Sequence, residues 1–212
     1  LHYPLKRPMN KATVFIIDDD QQVRAALSLL MESVGWKVKL FATAVSFLEQ
    51  FDSDIPGCII TDIRMPMMSG LDLQIKLKEY RISPPVLMIT GHGDITMAVR
   101  AIKEGALDFI EKPFNNQYLL DRVHQAIEVD SDNRKAVLRV LKVNEKYNQL
   151  TDKEKQVFGW IIKGALSKQI AEEVFVTQSA VEARRSKIME KMNADNISDL
   201  MKMAMVMGMV NT

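Results

Sequence analysis

Thr13–Asp20 reads TVFIIDDD: five apolar or β-branched residues run straight into three carboxylates. An unbroken apolar run of this length fits a strand buried on both faces, as in a parallel sheet covered by helices. Comparable runs recur at WKVKL (Trp36–Leu40), GCIIT (Gly57–Thr61), PVLMI (Pro85–Ile89) and LDFI (Leu107–Ile110). Helical patterns lie between them. Val23, Leu27, Leu30 and Val34 follow i, i+4, i+7 and i+11. Leu71, Ile75 and Lys78 begin another pattern, Met97, Ala98 and Ile102 a third, and Gln117–Ile127 forms the fifth helix. Strands alternating with helices in this way predict an α/β doubly wound five-stranded parallel sheet.

In such a sheet, ligands sit outside the carboxyl ends of the strands. Asp18, Asp19 and Asp20 end the first strand, Asp62 the third and Thr90 the fourth, and the fifth runs into Lys112–Pro113. Asp20 also reads as a helix N-cap. Carboxylates gathered at one edge repel unless a cation lies among them. Mg²⁺ suits such a place, because it takes one or two carboxylates, water and phosphate oxygens. A lysine can pair with a phosphoryl group as a point charge, and a threonine hydroxyl can donate to its oxygen. One carboxylate can act as a nucleophile. Neither GxxxxGK[ST] nor GxGxxG follows the first strand, so a nucleotide-binding reading loses its main support.

The 212 residues, 47% hydrophobic and 26% charged, suit a globular chain of one or two domains. No apolar run approaches the ~20 residues of a bilayer span, so no membrane partner is expected. LHYPLKRPMN lacks the apolar core of a secretory signal. Met9 reads as a candidate start, with Leu1–Pro8 an added or upstream segment. Cys58, the only cysteine, lies in the apolar CII and reads as a buried small hydrophobe. His2, His92 and His124 share no metal-ligand spacing. Charge divides unevenly: Leu1–Asn133 holds 14 basic and 18 acidic residues (net −4), Arg134–Thr212 holds 14 and 9 (net +5). A basic second half suits nucleic acid, although such charges are also ordinary solvated surface.

Glu128–Gln149 contains neither Gly nor Pro, and Val137, Leu138, Val140 and Leu141 offer an apolar stripe. It reads as a helical linker from Asn133 onward: a rigid spacer, a coiled-coil-like dimer contact, or a helix packed on one domain. Thr151 with Glu154 forms a capping box for a helix that Gly164 closes. Ser167 caps a short second helix carrying Ile170, Ala171 and Val174. Phe175–Thr177 is a tight turn, and Val181, Ile188 and Met192 mark a third helix. A fourth runs from Ile197, capped by Asn196 or Ser198, to about Met207. This is a small all-α, four-helix domain with helix-turn-helix geometry, whose second element enters the major groove. Opposite Val181 and Ile188 lie Ser179, Glu182, Ala183, Ser186 and Lys187, the base-facing candidates. Thr177, at the end of the turn that leads into this helix, is a further DNA-binding candidate. Lys168, Arg184, Arg185 and Lys191 stand where phosphates would lie. In the tail MKMAMVMGMV, Met201, Met205 and Gly208 share one face, and Met203 and Met207 another. One face suits the core; the other is free for domain docking or a dimer contact.

The set IIDDD, TDIRMP, ITGHGD and DFIEKPF resembles the receiver domain of bacterial response regulators, the CheY/flavodoxin-like fold, over about Ala12–Glu128. GHGD, MAV and DFIEKPF are most similar to the FixJ-type subgroup. LTDKEKQV, KQIAEEVFVTQSAVE and KIMEKMNA resemble the LuxR/NarL-type helix-turn-helix over about Gln149–Met209. Ala180 departs from the usual threonine there and Arg184 from a frequent histidine. The implied organisation is a receiver over 9–128, a helical linker over 129–148 and a DNA-binding domain over 149–212.

The resemblance implies that Asp62 is the phosphoacceptor. Asp18 and Asp19, with Asp62 and the Arg64 carbonyl, hold Mg²⁺, for which Mn²⁺ can substitute. Thr90 is the switch hydroxyl, Lys112 the phosphoryl-binding lysine in a cis Lys112–Pro113 bond, and Phe109 the aromatic switch position. The implied function is phosphorylation-controlled transcription regulation in a two-component system. The chain is then no enzyme beyond self-catalysed phosphotransfer and dephosphorylation at Asp62. A histidine kinase, promoter DNA and RNA polymerase are the implied partners, in the bacterial cytoplasm. The dimer face draws on Met97, Val99, Ala101 and Lys103–Phe109. Arg64 and His92 flank the phosphoryl site and limit water attack. Inhibition between domains is relieved on dimerisation, and half-sites lie about one helical turn apart. Two rivals remain: an aspartate-nucleophile phosphatase, for which no substrate pocket is apparent, and a phosphorylation-gated module whose helices bind protein or RNA.

Overall fold

The structure, a computed structural model, describes residues 12–80, 84–91 and 95–210. His2, Met9, the segment 1–8 and His92 lie outside the described residues. The chain divides into two compact units, Leu1–Arg134 and Lys135–Thr212.

The first unit alternates β1 (Thr13–Ile17), α1 (Gln21–Ser33), β2 (Lys37–Phe41), α2 (Ala44–Gln50), β3 (Gly57–Asp62), α3 (Gly70–Leu77), β4 (Val86–Thr90), α4 (Ile95–Lys103) and β5 (Asp108–Glu111), then enters α5 (Asn116–Asn148). All five strands are parallel, in the order β2-β1-β3-β4-β5. The sheet is thus doubly wound, as the alternation of patterns predicts. Strands β2, β4 and β5 begin one residue later than their apolar runs, because the hydrogen-bond ladder, and not hydrophobicity, sets a strand's bounds.

The pleat sends alternate residues of β1 to opposite faces. Val14 and Ile16 join Leu27 and Met31 of α1 and Leu119, Val123 and Ala126 of α5. Phe15 and Ile17 join Phe47 of α2, Leu73 and Leu77 of α3 and Ala101 of α4. Phe47 sits edge-to-face with Phe15 at 5.6 Å and with Phe41 at 5.2 Å between ring centroids. Several helical stripes are corrected here. Met31, not Val34, completes the buried face of α1, and Ile75 and Ile102 point outward while Leu77 and Ala101 are buried. Ala101 and Ala106 therefore leave the list of dimer-surface residues, whereas Val99 stays exposed.

Asp130, on α5, is 1% exposed. Its Oδ2 accepts from Gly57 N–H at 2.9 Å and from Arg134 Nε at 2.7 Å. The same guanidinium donates to the carbonyls of Ser53 and Ile55. This clamp binds Asp130 and Arg134 into the first unit, although both fall inside the expected linker. Gly57 is obligatory at its position: a Cβ there would lie 1.8 Å from the Thr13 carbonyl oxygen.

The second unit packs α6 (Asp152–Ile162), α7 (Ser167–Glu173), α8 (Gln178–Met192) and α9 (Ile197–Val206) around Phe158, Ile170, Val181, Ile188, Met192 and Leu200. Val143 and Tyr147 join that core, while Leu138 of the anticipated stripe is exposed. Thr151 and Glu154 form the capping box, Asn196 caps α9, and Gly164 takes the left-handed position after α6. Ser167 is not a cap. It is the first helical residue of α7, and Gln169 Oε1 instead accepts the Leu166 N–H at 2.8 Å. In α9, Leu200 and Ala204 are the buried pair; Met201, Met203 and Met207 pack beside them and Met205 is exposed.

Candidate functional site: an acidic pocket and a helix-turn-helix

Parallel register builds the pocket. Ile17 stands opposite Thr61, so the next residues along, Asp18 and Asp62, emerge side by side at the carboxyl edge. Thr90 pairs with Glu111 at the ends of β4 and β5, and Lys112 N–H donates to the Thr90 carbonyl at 2.8 Å. The Lys112–Pro113 peptide is cis, as the resemblance implies. Lys112 Nζ lies 3.1 Å from Asp18 Oδ2 and 3.3 Å from Asp62 Oδ1. The other Asp62 oxygen accepts the Arg64 N–H at 2.8 Å. Asp18 Oδ1 accepts the Asp20 N–H, while the Asp20 side chain caps α1. Gly70, at the start of α3, lies against the same loop: a Cβ there would come within 2.4 Å of the Asp62 carbonyl.

Burial pushes the Asp62 carboxyl above the usual carboxylate range. The Arg64 N–H and the Lys112 charge oppose that shift, and the Asp18 charge adds to it. Burial alone would lower the Lys112 ammonium, but the hydrogen bond and charge of Asp18, then Asp62, hold it above its ordinary value. The pocket therefore sets one carboxylate, Asp62, beside one cation, Lys112, which is shared with buried Asp18. Asp18 and Thr90 are buried, Asp19 and Arg64 are exposed, and Phe109 is half-buried against the α3–α4 side of the core.

Among the described residues, no three His, Cys, Asp or Glu side chains are gathered to hold a metal by protein ligands alone. A hard ion such as Mg²⁺ does not need three, since water and phosphate oxygens complete its shell. Two oxygen donors, Asp18 and Asp62, already converge on one positive charge, and Asp19 adjoins them. The donor set fits such an ion.

In the second unit, Ser179, Glu182, Ala183, Ser186 and Lys187 are all exposed on α8, as the helical-wheel reading expects. Thr177 caps α8 through Ala180 N–H and is exposed, as is Lys168 on α7. Arg184 and Arg185 are half-buried. Arg185 approaches Glu182 at 3.8 Å and, with Ser186 and Ile197, lines a groove of about 680 Å³ between α8 and α9. Lys191 is different. Its ammonium lies 2.6 Å from Glu154, whose carboxyl is buried, so that cation is committed to the fold and is removed from the phosphate set.

Sequence reasoning missed Arg24, whose guanidinium donates to the Asp18 carbonyl, as well as Gly70 and the Asp130–Arg134 clamp. The clamp rests on contacts across 73 to 81 positions, and Arg24 on a bond six residues back that the helical pattern does not mark. Gly70 alone had a local signal, as a glycine opening a helix just after the acidic strand end.

Residues 14–124 match the family model of the response regulator receiver domain, and residues 148–204 that of the bacterial regulatory proteins of the luxR family. The chain is 41% identical to the response regulator protein TodT of Pseudomonas putida over 90% of its length and 84% of TodT's. It is 35% identical to the transcriptional regulatory protein FixJ of Bradyrhizobium diazoefficiens, over 95% of this chain and 98% of that one. The structure of the response regulator StyR superposes with a TM-score of 0.82 at 38% identity, covering 92% of this chain and 98% of that one. The crystal structure of FixJ-N superposes with a TM-score of 0.53 at 43% identity, covering 57% of this chain and 96% of that one. No described helix is long and apolar enough to cross a membrane. The chain belongs to the response regulators of two-component systems, transcription regulators that join a receiver domain to a LuxR-type DNA-binding domain.

Proposed function

We propose that Asp62 accepts a phosphoryl group from a histidine kinase and that the resulting aspartyl phosphate promotes dimerisation and promoter binding. The observation that carries this is the pairing of Asp62 with Lys112 at 3.3 Å, at the carboxyl edge of the sheet. A carboxylate oxygen of Asp62 attacks the phosphorus of a phosphohistidine in line. The P–O bond forms as the P–N bond breaks, and the imidazole leaves with the electron pair and takes up a proton. Lys112 offsets charge on the transferring group and remains its counter-ion, a matter of positioning and electrostatics. Asp18, Asp19, Asp62 and the Arg64 carbonyl would hold Mg²⁺ or Mn²⁺. Either ion, when bound, supplies further positive charge against the phosphoryl oxygens.

The dianion draws the Thr90 hydroxyl and Lys112 inward, and Phe109 follows by packing alone, since it has no hydroxyl. This shifts a two-state population at the α4–β5–α5 face, where Val99 and Ile102 are exposed. The output domain then reads promoter DNA through Ser179, Glu182, Ala183, Ser186 and Lys187. Lys168, Thr177, Arg184 and Arg185 meet the backbone, and RNA polymerase is a partner of the bound dimer in the bacterial cytoplasm. The receiver takes in Asp130 and Arg134, the rest of α5 beyond them serves as the linker, and the output domain follows over 149–212. Hydrolysis at Asp62 resets the switch.

The test is phosphorylation by acetyl phosphate with Mg²⁺, read by intact mass and light scattering. Wild type is expected to gain one phosphoryl group and to dimerise, and Asp62→Asn to do neither. An equal gain in Asp62→Asn would refute the assignment.

A further inference from the structure

The turn that ends α7 carries a residue unlike those at the other left-handed helix ends. α1, α4, α6 and α9 close on glycines of positive φ (Gly35, Gly105, Gly164 and Gly208), and α8 closes on Asn193. In each, the next N–H returns to the carbonyl five places back, as Ala165 does to Trp160 at 3.1 Å. Glycine suits this place because it has no Cβ to crowd the carbonyl, and asparagine tolerates it. α7 closes with the same bond, Val176 N–H to the Ala171 carbonyl at 3.0 Å, but the residue at φ 52° is Phe175.

A bulky aromatic in this region is a strained outlier. Burial does not offset the strain, since Phe175 is 92% exposed while Val174 and Val176 on either side pack on the helical core. The strain disfavours the folded state, the exposed ring gains no burial to offset it, and a glycine would remove the strain. An outlier of this kind points to a role in binding.

Its place suggests which role. Phe175 stands two residues before Thr177, the cap of α8. When the second helix of a helix-turn-helix lies in the major groove, its N-terminal residues meet the base edges. The turn is then carried to the rim of the groove. A ring without charge or hydrogen-bonding atoms gains nothing from a phosphate. The apolar surfaces within its reach are thymine methyl groups and deoxyribose faces, and phenylalanine is among the side chains that contact the thymine methyl.

We propose that Phe175 is a DNA contact and a specificity-determining residue, covering thymine methyl and sugar surface at the edge of the site that α8 reads. This rests on the DNA-binding reading above. It adds a residue from the turn to a set drawn entirely from helices and their caps.

The test uses the full-length chain treated with acetyl phosphate and Mg²⁺. It is titrated against a duplex selected on the wild type from random-sequence DNA, and against an unrelated duplex. Phe175→Gly is expected to weaken the selected duplex about tenfold. It should weaken the unrelated duplex less than the selected one, leave the salt dependence unchanged, and leave the thermal midpoint equal or higher. Phe175→Tyr is expected to retain affinity. Equal affinity of Phe175→Gly and wild type for the selected duplex overturns the proposal and assigns the ring to a protein partner or to none. A weakened duplex with a lowered midpoint also counts against it, as a folding defect. A wild type that prefers no duplex overturns the DNA reading itself.

Discussion

Lys112 Nζ stands 3.3 Å from Asp62 Oδ1 while keeping a 3.1 Å contact to Asp18 Oδ2, so one ammonium serves two carboxylates at the sheet edge. Even with that cation, burial wins and the Asp62 carboxyl stays above its ordinary range. Ionised Asp62 is therefore held at a cost to the fold.

That cost has a pH signature. A carboxyl whose folded pKa is raised adds stability that is full below the unfolded value of about 3.9. The contribution is lost as pH rises through the folded value. Above the folded value the penalty of the buried charge is present in full. Asp62→Asn removes it and should unfold at a higher temperature than wild type at pH 7, with the difference shrinking toward pH 4. Thermal unfolding in metal-free buffer measures this, and an Asp62→Asn protein no more stable at pH 7 would contradict it.

Arg134 holds Asp130 at 2.7 Å, and both side chains are largely buried. Asp130 Oδ1 already lacks a hydrogen-bond partner among the described residues. Arg134→Ala leaves the carboxylate buried and uncompensated, a change that typically costs about 3–5 kcal/mol. Urea unfolding of the receiver transition checks it. A loss below roughly 1 kcal/mol, the scale of an exposed pair, would show that the clamp is solvated.

The Glu154–Lys191 pair makes a prediction of opposite sign. The Lys191 hydrogen bond holds the Glu154 carboxyl below its usual range, with the Thr151 N–H helping. Its contribution is therefore full above the ordinary glutamate value of about 4.3 and is lost as pH falls through the folded value. Lys191→Met should cost the helical unit about 1.5–3 kcal/mol at pH 7, the scale of a hydrogen bond to a charged group, and less in acid. The same variant should leave the salt slope of DNA binding unchanged, whereas Lys168→Met should reduce it by about 0.9, the loss of one phosphate contact. An equal drop in slope for Lys191→Met would return that lysine to the DNA surface.

Much of the receiver was legible because its chemistry lies at strand ends, where an apolar run stops at a carboxylate or hydroxyl. Asp18, Asp62 and Thr90 could be placed before any coordinates. The caps at Asp20, Thr151 and Asn196 were legible for the same local reason, a short polar side chain ahead of an apolar stripe. What escaped depends on distant partners. Asp130 meets Gly57 across 73 positions, and no local pattern announces that. Lys191 looked like any basic residue on α8 until Glu154 was found beneath it. The turn at Phe175–Thr177 was legible, but the left-handed backbone at Phe175 was not, because the usual marker, a glycine, is absent.

The most direct measurement is a binding titration of the full-length chain against promoter fragments, with and without acetyl phosphate and Mg²⁺, for wild type and Asp62→Asn. The account predicts that the phosphodonor tightens binding by the wild type and leaves Asp62→Asn unchanged. Specific binding that is indifferent to the phosphodonor in both proteins would contradict it.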